Sequence, residues 1–173
     1  SEVGASLARA GVRKLLLLNG HGGQIATGQI VARDLRVRHR MLVVPVLWPQ
    51  LGRAAGLLPE EELRCGIHGG ALETALVMAL RPDLVRLDRL AAFDPATRRR
   101  ADAAPILSSL GAAGFGWMAQ DLHPSGAAGD TRLASAELGR RVLEHVAGRL
   151  LALVRELRAL PLASLAAGPL DPG

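Results

Sequence analysis

The fold class is predicted by a short stretch near the start of the chain, Leu15-Leu16-Leu17-Leu18-Asn19-Gly20-His21-Gly22-Gly23. Consecutive leucines that end at Asn-Gly have the length and flanks of a strand buried on both faces, as in a parallel sheet. Residues 24–36 then return to helical spacing, and residues 41–48 form a second apolar run in which Pro45 favours an edge strand or a bulge. Strand, loop, helix and strand in this order predict a βαβ unit whose functional loops follow the strands.

A second histidine motif follows, Gly66-Ile67-His68-Gly69-Gly70-Ala71-Leu72-Glu73-Thr74, and it opens an apolar helix predicted over residues 71–80. Glu73 is the only charge in that helix, and its core-type neighbours lead us to expect a buried carboxylate. An isolated buried charge is costly, so such a group must be paired, hydrogen-bonded or bound to a metal. An exposed Glu73 would need only to complement the helix dipole, so both interpretations stay open.

Two histidines in glycine loops, together with one unexplained carboxylate, suggest a metal site. His21 either acts in that site or sits in a structural turn, which would require the glycines but not the imidazole. A phosphate cradle is not indicated, because neither G-x-G-x-x-G nor a P-loop Lys-Ser/Thr is present. The glycines beside His68 allow the backbone to approach a ligand closely.

Weaker candidates lie in residues 83–131, which are rich in Ala, Gly and Pro and which we expect to be irregular. Asp130 either caps the final helix or holds a substrate group, and Trp117 covers either a pocket or the core. Asp121 and His123 are expected to form loop hydrogen bonds, with metal binding as the less favoured alternative. The acidic run Glu60-Glu61-Glu62 is expected at the surface.

Composition excludes several classes of protein. The chain has 173 residues, 49% of them hydrophobic and 21% charged, which is typical of a globular domain. Its net charge of +5 comes mainly from dispersed arginines, and with 2% aromatic residues and no tyrosine we do not expect a nucleic-acid partner. The longest apolar runs are shorter than the ~20 residues of a membrane span, so no membrane partner is expected. A single cysteine, Cys65, favours a reducing compartment, and we expect a cytoplasmic protein.

We expect residues 1–160 to form a single α/β domain, with an amphipathic helix over residues 135–160 and a frayed tail over residues 161–173. The chain opens on a helix, and its first strand already leads to the His21 loop. An α/β enzyme normally has earlier strands, so the sequence looks truncated at its N-terminus.

The two histidine motifs, the following Met78-Ala79-Leu80-Arg81-Pro82-Asp83-Leu84-Val85 and the Gly129-Asp130 segment leading to Ala136-Glu137 together resemble the creatininase (creatinine amidohydrolase) family. The resemblance implies a three-layer α/β/α fold with a mainly parallel central sheet. It also implies a metal-dependent amidohydrolase with pairs of zinc, manganese or iron ions, commonly assembled as a homo-hexamer. By resemblance His21 and Glu73 are metal ligands and His68 is the catalytic histidine. The residues expected beside the substrate are Gly22, Gly69, Gly70, Trp117 and Asp130.

The implied reaction is attack on the amide carbonyl of a small linear or cyclic substrate by a water activated by a bound metal. His68 would carry a proton to the leaving nitrogen. Creatininase itself has a glutamate ligand at the position of Gly23 and an acidic residue at the position of Ile67, so the resemblance does not fix the substrate. The family's N-terminal ligands, a Glu-x-His and a following Asp, are absent. Two alternatives are a peptidase of the mycofactocin-maturation type and a non-catalytic remnant or oligomerisation module.

Overall fold

The structure is a computed structural model that describes residues 1–52, 56–101, 103–104, 106–107 and 113–166. Its residues group into two compact units, Ser1–Gly52 with Val146–Gly173 and Arg53–His145. The single domain over residues 1–160 stays a prediction. Residues 167–173 of the predicted tail lie outside the described part of the chain.

The first unit contains the predicted βαβ arrangement. Strand β1 (Lys14–Asn19) pairs in parallel with β2 (Leu42–Leu47), and helix α2 (Ile25–His39) connects them. The register runs without a bulge from the first residue of each strand to the last, with Leu17 opposite Pro45. Proline has no N–H to donate to a neighbouring strand, and β2 pairs only with β1 among the described residues. Pro45 therefore lies in an edge strand of this described sheet, as its sequence favours.

The core of the first unit joins α2 to the preceding helix α1 (Glu2–Arg9). Leu35 and Met41 are 1% and 0% exposed and pack with Ala8. A Cβ on Gly4 would overlap the Leu35 side chain, so a glycine is what lets α1 approach α2 this closely. Half-buried apolar side chains complete this core, namely Val12, Leu15, Val31 and Val43.

The second unit is built from short elements. Its helices are α3 (Glu60–Cys65), α4 (Ala71–Leu80), α5 (Ala96–Ala101), α6 (Ala119–Leu122) and the first part of α7 (Ala136–Ala159). Strands β3 (Ala92–Phe93) and β4 (Gly129–Asp130) form an antiparallel pair. The expectation that residues 83–131 are irregular is thus wrong in part. Short helices and a two-residue ladder were too brief to leave a periodic pattern in the sequence.

Two helices of the second unit pack closely. The buried residues of α4 are Ala71, Ala75 and Met78, and those of α7 are Leu138, Gly139 and Val142. Gly139 lies so near the backbone of Ala75 that a Cβ there would be 2.6 Å from the carbonyl carbon. This contact anchors α4 directly after the His68 motif.

Among the described residues, no helix is both long enough and apolar enough to span a membrane.

Candidate functional site

His21 stands in the first unit, at the carboxyl end of β1. Its backbone N–H donates to Asn19 Oδ1 at 3.0 Å, an Asx-type turn that ends the strand. The residue is exposed, and Gly22 begins a 3₁₀ turn, Gly22–Gln24. A Cβ on Gly23 would lie 3.1 Å from His21 Nε2, so the imidazole leans over this glycine. The loop thus presents an accessible imidazole where a strand end of an α/β unit carries function.

A groove of about 580 Å³ lies along β1, β2 and α2 of the same unit. Asn19 and Gln24, which flank the histidine loop in sequence, line this groove, but His21 is not among its lining residues. The other walls are mainly aliphatic, including Leu16, Leu18 and Leu47. The groove is therefore an apolar feature beside the histidine loop rather than a cavity built around it.

His68 lies in the second unit and is held by its backbone. Its N–H donates to Ala128 O at 3.4 Å, and its carbonyl accepts from the Ala128 N–H at 2.6 Å. This antiparallel bridge places the half-buried His68 against the segment that leads into β4. The next residue, Gly69, has φ +61°, a left-handed conformation that glycine adopts without strain. The chain can therefore turn at once from the His68 bridge into α4.

Glu73 is exposed, which contradicts the expectation of a buried carboxylate. Its Oε2 accepts a short hydrogen bond from the Gly69 N–H, and the hydroxyl of Thr74 donates to Gly69 O at 3.4 Å. The error came from the composition of α4, because Val77 and Leu80, which share a helical face with Glu73, are apolar but are themselves exposed. Glu73 satisfies a backbone donor just before the helix, a role that suits a carboxylate near a helix N-terminus.

The buried carboxylate of this region is Glu62, whose residue is 7% exposed. Its Oε1 accepts from the Ala71 N–H at 2.8 Å, and its Oε2 accepts from the Asp130 N–H at 2.9 Å. The expectation that the whole run of acidic residues at 60–62 lies at the surface is wrong for this position. One sequence signal could have found it, because in a helix Glu62 shares a face with the buried Cys65 three residues later.

Three glycines surround the Glu62 carboxylate. A Cβ on Gly70 would lie 2.7 Å from Glu62 Oε1, and a Cβ on Gly129 would lie 2.6 Å from the same atom. A Cβ on Gly66 would overlap the side chain as well. Gly129 also has φ +140°, a conformation that disfavours any side chain. The glycines of the motif thus make room for a carboxylate, in addition to the expected close approach of a ligand.

Asp130 begins a 3₁₀ turn, Thr131–Leu133, and its side chain accepts from the Arg132 N–H at 3.1 Å. The Arg132 guanidinium binds both carboxylate oxygens, at 2.8 and 2.7 Å. These hydrogen bonds hold the pKa of Asp130 below its ordinary value, while partial burial opposes the shift. Asp130 therefore caps this turn rather than the final helix, and its charge is already paired with Arg132.

Among the remaining candidates, some form structural hydrogen bonds and others have a role that stays a prediction. Asp121 Oδ2 accepts from the Met118 N–H at 2.8 Å, and His123 Nδ1 lies 2.8 Å from Ser125 Oγ, which confirms the expected loop hydrogen bonds. Trp117 is half-buried just ahead of α6, and its place beside a substrate stays a prediction. Cys65 is buried and forms no disulfide.

The structure thus places His68, Gly69, Gly70, Glu73 and Asp130 in one unit, whereas His21 and Gly22 belong to the other unit. No cluster of three or more His, Cys, Asp or Glu side chains occurs in the part of the chain that the structure describes. The imidazole and carboxylate donors match zinc in kind, but a catalytic zinc takes about three protein ligands. The described residues therefore offer the kinds of donor atom that zinc binds, but fewer ligands than a catalytic zinc site takes.

Comparison with known proteins gives one consistent result. The Creatininase family, described as creatinine amidohydrolase, matches residues 1–154. The creatinine amidohydrolase of Pseudomonas putida is 40% identical over 111 residues, covering 58% of this chain and 43% of the relative. The mycofactocin precursor peptide peptidase of Mycobacterium ulcerans (strain Agy99) is 30% identical over 133 residues, covering 77% of this chain and 44% of the relative. The chain therefore spans less than half the length of these two relatives.

A solved structure of a creatininase variant in its zinc–zinc form superposes with a TM-score of 0.64 at 26% identity. The match covers 90% of this chain and 60% of that one. This similarity confirms the predicted α/β fold of the creatininase type. Because the family match spans residues 1–154 and includes both histidine motifs, the chain belongs to the Creatininase family.

Proposed function

We propose that this chain carries part of the active site of a metal-dependent amidohydrolase that cleaves a small linear or cyclic amide. Family membership supports amide-bond hydrolysis, since the two relatives are named for cleavage of creatinine and of a precursor peptide. Because the chain spans 43% and 44% of those relatives, the activity is proposed for the natural gene product that contains these 173 residues.

The observation that carries the proposal is the setting of His68. Its backbone N–H and its carbonyl both form hydrogen bonds with Ala128, and a glycine follows it at the turn into α4. These two hydrogen bonds fix the backbone from which the half-buried His68 carries its imidazole. An imidazole both accepts and donates a proton near neutral pH, which suits delivery of a proton to the leaving nitrogen of an amide.

The proposed metal is divalent, with zinc favoured by the zinc–zinc form of the similar creatininase variant and manganese or iron as alternatives. His21 and Glu73 are its proposed ligands from this chain. Such an ion polarises a carbonyl oxygen and lowers the pKa of a bound water. Gly22, Gly69, Gly70, Trp117 and Asp130 are proposed to border the substrate, with Asp130 acting while paired to Arg132.

The second candidate is peptidase activity on a modified peptide. It is favoured by the mycofactocin peptidase, whose match covers 77% of this chain against 58% for the creatinine amidohydrolase. A non-catalytic or oligomerisation role is the remaining alternative. The three are separated by one substrate panel that contains cyclic amides, linear amides and short peptides.

The test uses the natural gene product loaded with zinc or manganese. We expect metal-dependent release of the amine from at least one small amide, and His68→Ala should lower kcat by about 10²-fold or more. His21→Ala should lower the bound metal in elemental analysis. His145→Ala, which removes an exposed histidine outside both motifs, is the control and should leave turnover and metal content unchanged.

Cleavage of peptides alone would establish the second candidate. Absence of turnover across the panel in a metal-loaded protein would favour the non-catalytic role. Unchanged turnover in His68→Ala would remove this histidine from the mechanism, and unchanged metal content in His21→Ala would remove that residue from the metal site.

We also propose a homo-oligomer in a reducing, cytoplasmic compartment. Exposed aliphatic side chains on several elements support self-association, including Val3, Leu18 and Ile30 at 77%, 51% and 67% exposure. The single buried thiol of Cys65 supports the compartment. Sedimentation velocity over a range of protein concentrations tests the oligomer, and a concentration-independent monomer would contradict it.

A further inference from the structure

We infer that Glu62 is a positioning residue, which fixes His68 relative to the Asp130 turn. The inference rests on the proposed role of His68 in proton transfer. No part of the proposed mechanism uses Glu62, yet among the described residues of the second unit it is a buried carboxylate, and its oxygens accept from Ala71 and Asp130, 9 and 68 residues further along the chain.

The two hydrogen bonds of Glu62 lie on either side of His68. One oxygen accepts from Ala71, three residues after His68 along the chain. The other accepts from Asp130, two residues beyond the Ala128 that bridges to His68. The single carboxylate therefore holds both flanks of the His68–Ala128 bridge in one geometry.

Both acceptor positions are needed, because both partners are donors. A backbone N–H can only donate, and an ionised carboxylate offers two oxygens that only accept. Hydrogen bonds to a charged acceptor are stronger than neutral ones, and an unpaired buried N–H is costly. A glutamine in this place would offer one oxygen and turn an NH₂ group towards the other N–H.

The packing shows that the carboxylate occupies a site shaped for it. Gly66, Gly70 and Gly129 each lack room for a Cβ, and in each case Glu62 is among the atoms that would be struck. These glycines come from three different segments, the end of α3, the start of α4 and β4. A carboxylate fixed on three sides cannot move without moving the loop that carries His68.

The test compares Glu62→Gln, Glu62→Asp and Glu60→Gln. Glu62→Gln keeps the shape and loses one acceptor. Glu62→Asp keeps both acceptors but is shorter by one methylene, so it serves as the partly rescuing variant. Glu60→Gln removes an exposed charge from the same helix and is the matched control.

In the gene product we expect Glu62→Gln to lower kcat by about tenfold or more with KM changed by less than about twofold, because a displaced proton donor acts on the transition state. Glu62→Asp should fall between the wild type and Glu62→Gln. The control should match the wild type.

Hydrogen exchange and the imidazole resonances of His68, both measured by NMR on the 173-residue chain, need no turnover. We expect Glu62→Gln to speed exchange at Ala71 or Asp130 by about tenfold or more and to shift the His68 resonances. Faster exchange with unchanged kcat and unchanged His68 resonances would make Glu62 structural only and overturn the inference. Should Glu62→Gln fail to fold, Glu62→Asp decides by the same readouts.

The two proposals fail separately. A wild-type gene product without turnover would contradict the proposed function, and the His68 resonances in Glu62→Gln would still decide whether Glu62 sets the position of that ring. Turnover in the wild type together with an unaffected Glu62→Gln would leave the function standing and remove the positioning role.

Discussion

At the scale of single residues, the second unit separates two carboxylates by burial. Glu62 is buried and accepts hydrogen bonds from two distant segments, whereas Glu73 is exposed and accepts from the nearby Gly69. An exposed carboxylate can bind a further cation at low desolvation cost, but a buried one with both oxygens engaged cannot leave its partners cheaply. The geometry thus favours Glu73 as the side chain open to a ligand and Glu62 as the one that holds the loop.

The first prediction concerns Glu73→Gln. We expect metal binding and turnover of the gene product to fall strongly, because a neutral amide is a poor metal ligand. The free energy of unfolding should fall by only about 0.3–1 kcal/mol, since the group lost is an exposed carboxylate at a helix N-terminus. Metal analysis, turnover and urea unfolding measure the three quantities. Near-wild-type turnover would leave Glu73 with a purely structural role.

A second prediction concerns Asp130 and pH. Arg132 lowers the pKa of Asp130 below its ordinary value of 3.8. The unfolded chain therefore takes up this proton at a higher pH than the folded chain does. The stability gained from the pair is complete above the ordinary value and is lost as pH falls through the lower folded value.

Asp130→Asn isolates this charge effect, because asparagine caps a helical turn about as well as aspartate. We expect the variant to be less stable than the wild type at neutral pH by up to about 1 kcal/mol, as is usual for a partly exposed pair. The difference should shrink towards zero in acid. Urea unfolding across pH measures it, and Arg132→Gln should give a similar trend. A difference that does not vary with pH would contradict this account.

At the scale of elements, close helix packing sets the position of the His68 motif. α4 begins directly after Gly70, and α7 approaches it through Gly139 at the carbonyl of Ala75. Two helices come this near only where one lacks a side chain. The start of α4 is also held by Glu62. A change in the α4–α7 contact should therefore alter the position of the His68 motif.

The third prediction compares two glycines of α7. Gly139→Ala should lower the free energy of unfolding by about 1–3 kcal/mol, because the added methyl overlaps the α4 backbone. Gly148→Ala is the matched control in the same helix, where a Cβ meets nothing within 4 Å. The control should raise stability by about 0.5–1 kcal/mol through better helix propensity. Urea or thermal unfolding measures the stability of both variants. A similar change in stability for Gly139→Ala and Gly148→Ala would refute the packing argument.

At the scale of the whole molecule, the two histidine motifs occupy different compact units. His21 belongs to the parallel βαβ unit and His68 to the unit of short helices. The described residues supply no group of three metal-binding side chains, although the family includes a zinc–zinc structure. The chain also spans under half of its curated relatives. Its own residues are thus expected to be one part of a larger set of ligands.

The fourth prediction follows. The isolated 173-residue chain should show no amide hydrolysis when supplied with zinc or manganese, because two ligands bind an ion weakly and position it poorly. An assay with small cyclic amides, formamides and short peptides tests this. Clear metal-dependent turnover by this chain would demonstrate a complete site within it.

The sequence by itself determined the βαβ unit and the family. The strand at Leu15–Leu18 and the glycine loop around His21 are recognised from adjacent residues. Hydrophobic periodicity and turn-forming glycines are local properties of a chain. The His68 motif and its helix were visible for the same reason. The expected order of strand, helix and strand is accordingly the order that the structure has.

Only the tertiary structure decided which glutamate is buried. Glu62 sits in an acidic run and Glu73 in an apolar helix, so composition alone assigns each to the wrong environment. The burial of Glu62 depends on two N–H donors and on glycines at positions 70 and 129, which are separated from it by 8 and 67 residues in the chain. Contacts between distant segments produce no periodic pattern in the sequence of either segment. The burial of Glu62 therefore becomes visible only when the chain is folded.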